Sequence, residues 1–359
     1  MKKFVGLIGL ILLLALVAGG CSGSGEDSSP TQTLATVNDD DSDDDSAIPD
    51  DDDDAVDDDD TSDDDDTIDD DDDTPPDECV EPIHGYEVYE DTRFCPGGYF
   101  IDGDGPAIVI KTDNVSIWGE GVTLTYSGKG TSTGISTEES RIGLSIHGFR
   151  IERFSRGVHL SGEGIKVEGT EIDHPGNTPL YATGSRIEIT GITASDSETT
   201  GVTLQNCTDC SVTYSLLTNE IEGVIESNVI IDGGGDNIIE GNTIHTRNES
   251  GCNAVWLIDT SGNEIRNNTF DLGFKDGSHF QGEVHDNLFV GNEYYMRLGQ
   301  YIVWTIAESS NNQFYDNVFH DGVFLDESES SLFCVDGTGN EYLDGAVYRG
   351  DDENEGTCP

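Results

Sequence analysis

Basic side chains are scarce in this sequence. Its 359 residues include 16 Lys and Arg against 74 Asp and Glu, which gives a formal net charge of −58. A general nucleic-acid-binding protein needs a basic face that neutralises phosphates, so this composition excludes one. A convincing 3.6-residue hydrophobic period is also missing after residue 79, and its absence argues against a helical fold.

The acidic residues are unevenly distributed along the chain. Residues 26–78 contain 28 of them and no Lys or Arg, whereas residues 79–359 contain 46 acids and 14 bases. The first segment therefore has the composition of a disordered chain, and the second has that of a folded one. The second segment is long enough for one large domain or two smaller ones.

The N-terminus has the plan of a secretory signal. Lys2 and Lys3 precede an apolar stretch over residues 4–18, and Gly19, Gly20 and Cys21 follow it. This arrangement resembles a bacterial lipoprotein signal over residues 1–21, although Ala18 stands where that family usually has Leu. The resemblance implies that Cys21 is lipidated and that the protein is exported to the bacterial envelope, anchored in the outer membrane or on the cell surface. An ordinary cleaved signal and an uncleaved anchor helix are the alternatives.

Blocks of aspartate fill the segment after Cys21. They run over residues 50–54, 57–60, 63–66 and 69–73, and only the pairs Ala-Val, Thr-Ser and Thr-Ile separate them. Repulsion between like charges and the lack of a core predict a disordered, extended stalk over residues 22–78. The alternative is that the blocks bind Ca²⁺. Such binding would be loose, because the blocks lack the glycine and the ligand spacing of an EF-hand loop.

The rest of the chain repeats. Asparagines recur five residues apart at Asn237/Asn242, Asn263/Asn268, Asn287/Asn292 and Asn312/Asn317, and Asn340 begins a fifth unit. Apolar or aromatic residues follow each first asparagine at offsets two and seven. An asparagine at such a turn tolerates left-handed backbone, and its amide can bond to the asparagine of the next unit, so these residues are predicted to be structural.

The apolar offsets extend the repeat towards the N-terminus. They continue at Ile117/Val122, Ile146/Ile151, Val167/Ile172, Ile187/Ile192 and Val212/Leu217. Short alternating strands follow in several units at residues 157–160, 201–204, 254–257 and 322–325. About ten units of 20 to 29 residues, all strand and turn, predict an all-β parallel β-helix solenoid. Leucine-rich repeats have a similar length, but their Leu-x-x-Leu-x-Leu pattern is missing here.

Residues from about 96 to 349 resemble the right-handed parallel β-helix, or pectin-lyase-like, superfamily. Residues 96–103 resemble its entry into the first coil, and the Asn-x-Ile-x-x-Asn units are similar to the periplasmic repeat proteins associated with nitrous oxide reductase maturation. The resemblance implies a right-handed solenoid of about ten coils with terminal caps over residues 79–359. It implies little about activity, because the same coil carries lyases, hydrolases, epimerases, adhesins and non-catalytic proteins.

Seven cysteines lie in this exported segment, where disulfides are stable. Cys79 and Cys95 bracket a short segment before the first coil, and Cys334 and Cys358 bracket the last segment, so each pair is a candidate disulfide for a cap. The remaining thiols are Cys207, Cys210 and Cys252; the first two could close a small loop. Four good zinc ligands are not found together.

The candidate catalytic residues lie close together in the sequence, mostly in one loop between coils. Polysaccharide lyases of the superfamily use a Lys or Arg base, a second cation and often Ca²⁺, which together let a uronate α-proton leave. The nearest set comprises Asp271, Lys275, Asp276, His279, His285, Asp286 and, in the next coil, Arg297. The alternative is an ordinary polar loop, since the hydrolase and epimerase motifs of the superfamily are not reproduced.

Two further groups are candidates for ligand binding. Six bases lie within 46 residues and could form a stripe for an anionic glycan, or balance neighbouring glutamates: Arg141, Arg150, Arg153, Arg156, Lys166 and Arg186. Aromatic residues are concentrated in coils seven to nine, among them Trp256 and Trp304, and exposed rings can stack on sugars.

The sequence thus favours a lipid-anchored envelope protein whose β-helix binds a glycan or another surface polymer. Its expected partners are the membrane, through the anchor, and a polysaccharide, with no nucleic acid. A polysaccharide lyase or glycoside hydrolase and a surface adhesin are the alternatives. No cofactor is implied apart from Ca²⁺, and no metal ligands are assigned.

Overall fold

The structure is a computed structural model. It describes residues 75–128, 131–219, 227–246, 253–272, 276–296, 303–305, 309–321, 323–325, 332–335, 341–343 and 347–349. These belong to one compact unit that begins at residue 73. The predicted signal with Cys21, and nearly all of the predicted stalk, lie outside the described residues.

Every regular element in the described part of the chain is a β-strand. The N-terminal strands are β1 (Cys79–Val80), β2 (Tyr86–Val88), β3 (Thr92–Phe94), β4 (Gly97–Ile101), β5 (Gly105–Ile110), β6 (Ser116–Trp118), β7 (Val122–Tyr126), β8 (Ser132–Ser136), β9 (Arg141–Ile142), β10 (Ser145–His147), β11 (Arg150–Glu152), β12 (Arg156–Glu163) and β13 (Lys166–Glu168). The central strands are β14 (Glu171–Asp173), β15 (Leu180–Ser185), β16 (Glu188–Thr190), β17 (Thr193–Ser195), β18 (Thr200–Thr208), β19 (Ser211–Thr213), β20 (Leu216–Asn219), β21 (Ser227–Gly235), β22 (Ile238–Glu240), β23 (Thr243–Thr246), β24 (Asn253–Ile258), β25 (Glu264–Arg266) and β26 (Thr269–Leu272). The C-terminal strands are β27 (Ser278–Gln281), β28 (Val284–His285), β29 (Leu288–Val290), β30 (Glu293–Tyr295), β31 (Val303–Thr305), β32 (Ser309–Tyr315), β33 (Val318–His320), β34 (Val323–Leu325), β35 (Leu332–Val335), β36 (Glu341–Leu343) and β37 (Val347–Arg349).

These strands form three long parallel sheets, and the chain visits each sheet in turn. Sheet 1 runs β1-β3-β6-β10-β13-β16-β19-β22-β25-β29-β32, sheet 2 runs from β4 through β7, β11, β14, β17, β20, β23, β26, β30 and β33 to β36, and sheet 3 runs β2-β5-β8-β12-β15-β18-β21-β24-β27-β31. Each circuit is one coil of a parallel β-solenoid, which confirms the predicted fold class. The orders given contain 11, 11 and 10 strands, and β28, β35 and β9 pair beside them without adding a full circuit. The number of complete coils differs slightly from the ten that the repeats indicate. No helix among the described residues is long and apolar enough to span a membrane.

The core lies inside the solenoid and consists of one inward side chain per short strand. Ile151, Ile172 and Leu217 are at most 1% exposed and lie one above another in sheet 2. Later coils place aromatic rings at the same positions of sheet 2, where the rings of Tyr294 and Phe319 stack with their centroids 5.1 Å apart. Burial of this continuous apolar column is the main stabilising contribution, because no coil can bury its inner face alone.

In two coils of the N-terminal half, the apolar positions predicted from the sequence differ by two residues from those that pair in the structure. Ile189 and Ala194 pair with Val212 and Leu217, where the sequence pattern had indicated Ile187 and Ile192. Leu124, and not Val122, pairs with Ile151. All of these side chains are buried, so a pattern of period two cannot distinguish the alternative registers.

The asparagines form two buried ladders along the second half of the solenoid. In one, Asn237 Nδ2 donates to Asn263 Oδ1 at 2.9 Å, and the bond repeats to Asn287 and Asn312 at 2.7 and 2.8 Å. The other comprises Asn242, Asn268, Asn292 and Asn317, with three equivalent bonds of 3.0 Å. The predicted amide bonding between coils is present in the structure.

The expected left-handed backbone lies one residue earlier than the asparagines themselves. Asp236, Asn267 and Asp286 have φ of 54° to 56°, and each directly precedes a ladder asparagine. These preceding residues turn the corner, and the asparagine that follows points inward and satisfies backbone groups. Asp and Asn suit the corner because their short polar side chains tolerate this conformation.

A disulfide joins Cys79 and Cys95 at the N-terminal end, where β1 pairs with β3. Cys207 and Cys210 are buried free thiols at the corner between β18 and β19. Cys252 and Cys358 lie outside the described residues, and Cys334 lies in β35, of which only the backbone is described. The predicted Cys334–Cys358 bond therefore stays a prediction.

Replacement of Asn268 by Ala should destabilise the protein strongly. Its Oδ1 accepts from both nitrogens of Asn242, and its Nδ2 donates to Ile239 O at 2.8 Å. Each buried group left without a partner costs about 1 to 3 kcal/mol, so we expect a loss of about 3 kcal/mol or more in thermal or denaturant unfolding. Thr243→Ala, on the exposed face of β23, is the control and should change stability by less than about 0.5 kcal/mol. Equal effects would contradict the ladder's role.

Loss of the Cys79–Cys95 bond should loosen the N-terminal cap. The disulfide closes a loop with a sequence separation of 16 residues. A loop of this length predicts a loss of about 3 kcal/mol in the Cys79→Ser/Cys95→Ser double variant, mostly through the entropy of the unfolded chain. Hydrogen exchange of residues 79–95 in that variant provides the measurement, and unchanged protection there would contradict the stapling role.

Candidate functional site

The outer face of sheet 3 carries an ordered row of side chains. Its strands alternate, so Val158, Val202 and Val255 point into the core while the next residue of each strand points outward. In-register pairing places the outward residues one above another, and we call this set the sheet 3 row: His159, Tyr181, Thr203, Ile230, Trp256 and His279. Trp304, described by its backbone alone, continues the register after His279.

Aromatic contacts connect neighbouring members of the row. The rings of His159 and Tyr181 meet edge to face with centroids 4.9 Å apart, and those of Trp256 and His279 are tilted at 5.2 Å. The guanidinium carbon of Arg156 lies 5.8 Å from the Tyr181 ring centroid, within the range of a cation–π contact. The row therefore contains two aromatic pairs, one of which is joined by a cation.

Polar groups lie beside the aromatic ones. The hydroxyl of Tyr181 donates to Gln205 Oε1, and Gln205 Nε2 donates to Asp232 Oδ2 at 3.0 Å. Gln205 and Asp232 are partners in the sheet register, two residues beyond Thr203 and Ile230. These bonds run across three coils and hold the polar groups in fixed positions. Fixed hydrogen-bonding groups next to flat rings are the usual composition of a saccharide-binding surface.

Burial sets the charge state of the row. Burial, with a smaller contribution from the Arg156 guanidinium, lowers the pKa of His159 below its ordinary value. Burial also raises the pKa of Tyr181, and Arg156 opposes that shift. Both side chains are therefore neutral near pH 7 and present polar but uncharged surfaces.

The C-terminal part of the row is recessed. Ile230 and His279 point outward but are only 7% and 6% exposed. The indole N–H of Trp256 is buried and has no hydrogen-bond partner among the residues that the structure describes. A buried donor without a partner is costly, so this nitrogen is a candidate for a polar contact that the described residues do not supply.

The six predicted bases do not form one stripe. Arg150 lies on sheet 2, Lys166 on sheet 1 and Arg156 at the start of β12 in sheet 3, because each short turn carries the chain to the next sheet. Arg153 lies at a corner with φ of 62°. Of these four bases, only Arg156 contacts the described part of the sheet 3 row.

Glutamates neutralise several of these bases. Arg150 contacts Glu152 at 2.7 Å and Glu171 at 2.9 Å, and it lines a surface pocket of about 220 Å³ on sheet 2. Arg141 contacts Glu139 at 3.1 Å, and Arg186 contacts Glu163. This arrangement matches the alternative in which the bases balance neighbouring acids. Their role in binding a ligand stays a prediction.

The catalytic candidates are spread over three sheets. Asp271 lies on sheet 2 with His245 at 2.7 Å, His279 lies on sheet 3, and His285 lies on sheet 1 with Ser310 at 2.7 Å. Lys275 and Arg297 lie outside the described residues. Asp276 is buried just before β27, three residues from His279. The structure thus brings His279 together with Trp256 from the aromatic group and places Asp271 on a different sheet.

Comparison with known proteins agrees with this architecture. Residues 105–350 match the model of a family described as "Periplasmic copper-binding protein (NosD)". The chain belongs to the NosD family. No curated protein sequence matches this NosD-family chain.

Solved structures share the fold at low identity. The Dettilon tailspike protein has a TM-score of 0.56 at 13% identity, over 74% of this chain and 60% of its own. A tailspike protein mutant of E. coli bacteriophage HK620, solved in complex with a pentasaccharide, has a TM-score of 0.50 at 11% identity over the same shares. The periplasmic alginate epimerase AlgG has a TM-score of 0.44 at 12% identity, over 74% of this chain and 75% of its own. The NosD-family chain spans about 60% of the two tailspike chains, and these likenesses show the fold alone.

Sequence reasoning missed His159, Tyr181, Gln205 and Asp232. His159 and Gln205 stood in recognisable alternating strands, so their outward direction could have been inferred from the pattern. Tyr181 lies two residues after Pro179, and the next inward position is the small Ala182. The alternation of apolar and polar residues is therefore hard to recognise in this strand. Their mutual proximity depends on the register of four coils, which no local pattern contains.

Acidification should destabilise the protein through His159. Its folded-state pKa lies below the unfolded value of about 6.5, so the unfolded chain binds the proton more readily. Stability is complete above about pH 6.5 and falls as the pH drops through that value towards the folded pKa. His159→Gln should show a shallower loss of melting temperature between pH 7.5 and 5. An NMR titration in which His159 titrates at or above its ordinary pKa would contradict the assignment.

Proposed function

We propose that this protein is an exported cell-envelope β-helix that binds a polysaccharide along the sheet 3 row. The observation that carries the proposal is the in-register array of aromatic rings next to the Tyr181–Gln205–Asp232 hydrogen bonds. Aromatic faces contact the C–H faces of sugars, and amide and carboxylate groups bind their hydroxyls. One surface therefore offers both kinds of contact.

The geometry favours a polymer over a single sugar. Neighbouring strands of a sheet lie about 4.8 Å apart, so the six described members of the row extend over roughly 24 Å. A linear chain that lies across the strands would meet one outward side chain in each coil. Such a surface gains affinity by adding weak contacts along its length, which suits a polysaccharide with a repeating unit.

Charge favours a neutral polysaccharide. The formal net charge of −58 produces a field that repels anionic polymers, and Arg156 is the one base that contacts the described row. Tyr181 and His159 are neutral near pH 7 for the reasons given above. A neutral glycan avoids the repulsion and still uses the rings and the amide. An anionic glycan would bind only near Arg156 and would depend strongly on salt.

Location supports the same proposal. The NosD family is described as periplasmic, and the tailspike of bacteriophage HK620 was solved with a pentasaccharide on a similar fold. Lipidation at Cys21 and an acidic stalk over residues 22–78 would hold the solenoid away from the membrane. That position would place the sheet 3 row within reach of envelope glycans.

Trp256→Ala should weaken polysaccharide binding. The ring contributes a flat surface beside His279, and its loss should lower affinity about 10-fold, the equivalent of one good stacking contact. Calorimetry of the full-length protein against neutral and anionic polysaccharides measures the effect. Tyr214→Ala is the matched control, because that ring is 67% exposed at a corner between sheets 1 and 2. Equal affinities in the two variants, or no binding to any polysaccharide, would refute the proposal.

The same panel tests the catalytic alternative. Asp276 and His279 are buried ionisable groups at the C-terminal part of the row, and such groups are common at active sites. Absorbance of unsaturated products reports a lyase, and new reducing ends report a hydrolase. Turnover that is lost in Lys275→Ala or Arg297→Ala would favour the enzyme over the binding protein.

A further inference from the structure

A cluster of metal-binding side chains lies away from the sheet 3 row. Asp173 ends β14, His174 turns the following corner with φ of 48°, and Asp196 occupies the same corner one coil later with φ of 54°. Because Asp173 pairs in register with Ser195, Asp196 is brought beside His174. One ligand atom from each of Asp173, His174 and Asp196 lies within 4.8 Å of the others.

The contacts around the cluster orient one oxygen of Asp173 towards the imidazole. His174 Nδ1 is 2.7 Å from Asp173 Oδ1, and Ser195 Oγ donates to the same oxygen at 2.7 Å. Arg150 Nη2 lies 3.8 Å from the other oxygen, Oδ2. The second imidazole nitrogen, Nε2, is 3.6 Å from Asp196 Oδ2. The carboxylate is thus held from both sides without Arg150 lying between it and His174.

Water has access to the cluster. His174 is 56% exposed at its side chain, so water molecules can complete a coordination shell.

The family description names copper, and the described residues fit only one of its oxidation states. Cu(I) prefers thiolates and thioethers. Among the described residues, Cys207, Cys210 and Met296 are buried in the core, and the hydrogen bond that the Cys207 thiol donates to Cys210, together with burial, raises the pKa of Cys207. These sulfurs offer no open soft site. Imidazole nitrogen with carboxylate oxygen, by contrast, suits Cu(II) and similar divalent ions.

We propose that Asp173, His174 and Asp196 bind a divalent transition-metal ion. Such an ion lies about 2.0 to 2.2 Å from nitrogen and oxygen ligands, so ligand atoms within 4.8 Å reach it after small side-chain rotations. The imidazole selects against Ca²⁺ and Mg²⁺, which prefer oxygen alone. Among first-row ions Cu²⁺ binds such a set most tightly. The negative charge of the chain also raises the local concentration of cations.

The test is a titration of the full-length protein with Cu²⁺, followed by electron paramagnetic resonance. Nitrogen hyperfine coupling in the first equivalent reports imidazole coordination and distinguishes this site from oxygen-only binding by the aspartate blocks. We expect His174→Ala to remove that coupling and to weaken the site at least 10-fold, and Asp196→Asn to weaken it less. His245→Ala is the matched control, because His245 is also paired with an aspartate on sheet 2, at 2.7 Å.

Several results would overturn the proposal. They are a first equivalent without nitrogen coupling, coupling that survives His174→Ala, and equal losses in His174→Ala and His245→Ala. Zn²⁺ titration by calorimetry gives an independent measurement and should show the same ranking of variants. Melting temperatures of all three variants check that the solenoid is intact, which is expected because both histidines are on the surface.

Discussion

Hydrogen bonding between adjacent coils is the interaction on which the rest of the structure depends. A strand of three residues has no partner within its own coil, and its backbone groups are satisfied only by the strands above and below. This requirement fixes the register of every coil against its neighbours. The apolar column, the asparagine ladders, the sheet 3 row and the Asp173–His174–Asp196 cluster all follow from that register, because each consists of equivalent positions in successive coils.

The two halves of the solenoid meet this requirement differently at the corners. In the first half, apolar side chains such as Ile165 and Ile187 occupy the inward corner position. From Asn237 onward asparagines occupy it and bond both to each other and to backbone atoms. Cys210 and Ser215 mark the change, since their backbone N–H groups donate to Asn237 and Asn242 at 3.0 and 2.9 Å. A polar ladder inside the solenoid is stable only because every member has its partners.

The sheet 3 row lies on the opposite side of the same strands. An inward residue is constrained by packing, whereas the outward residue beside it is free to vary, so rows of chemically related side chains can form on one face without disturbing the core. His279 shows the effect: the sequence makes it a catalytic candidate and Trp256 a candidate for stacking on sugars, and the register between coils makes them neighbours. The predicted base stripe failed for the same reason, because Arg150 and Arg156, only six residues apart, belong to different sheets.

The coil could be predicted from local patterns, since period-two alternation, turn residues and asparagines at fixed offsets describe geometry that each unit repeats. The sequence also determined the acidity that separates the first segment from the folded one. The register between coils became known from the folded structure, because buried residues two apart, such as Ile187 and Ile189, satisfy the same pattern equally well. The candidate sites consist of residues about 22 to 27 positions apart, and their proximity arises from stacking between coils, which no local pattern specifies.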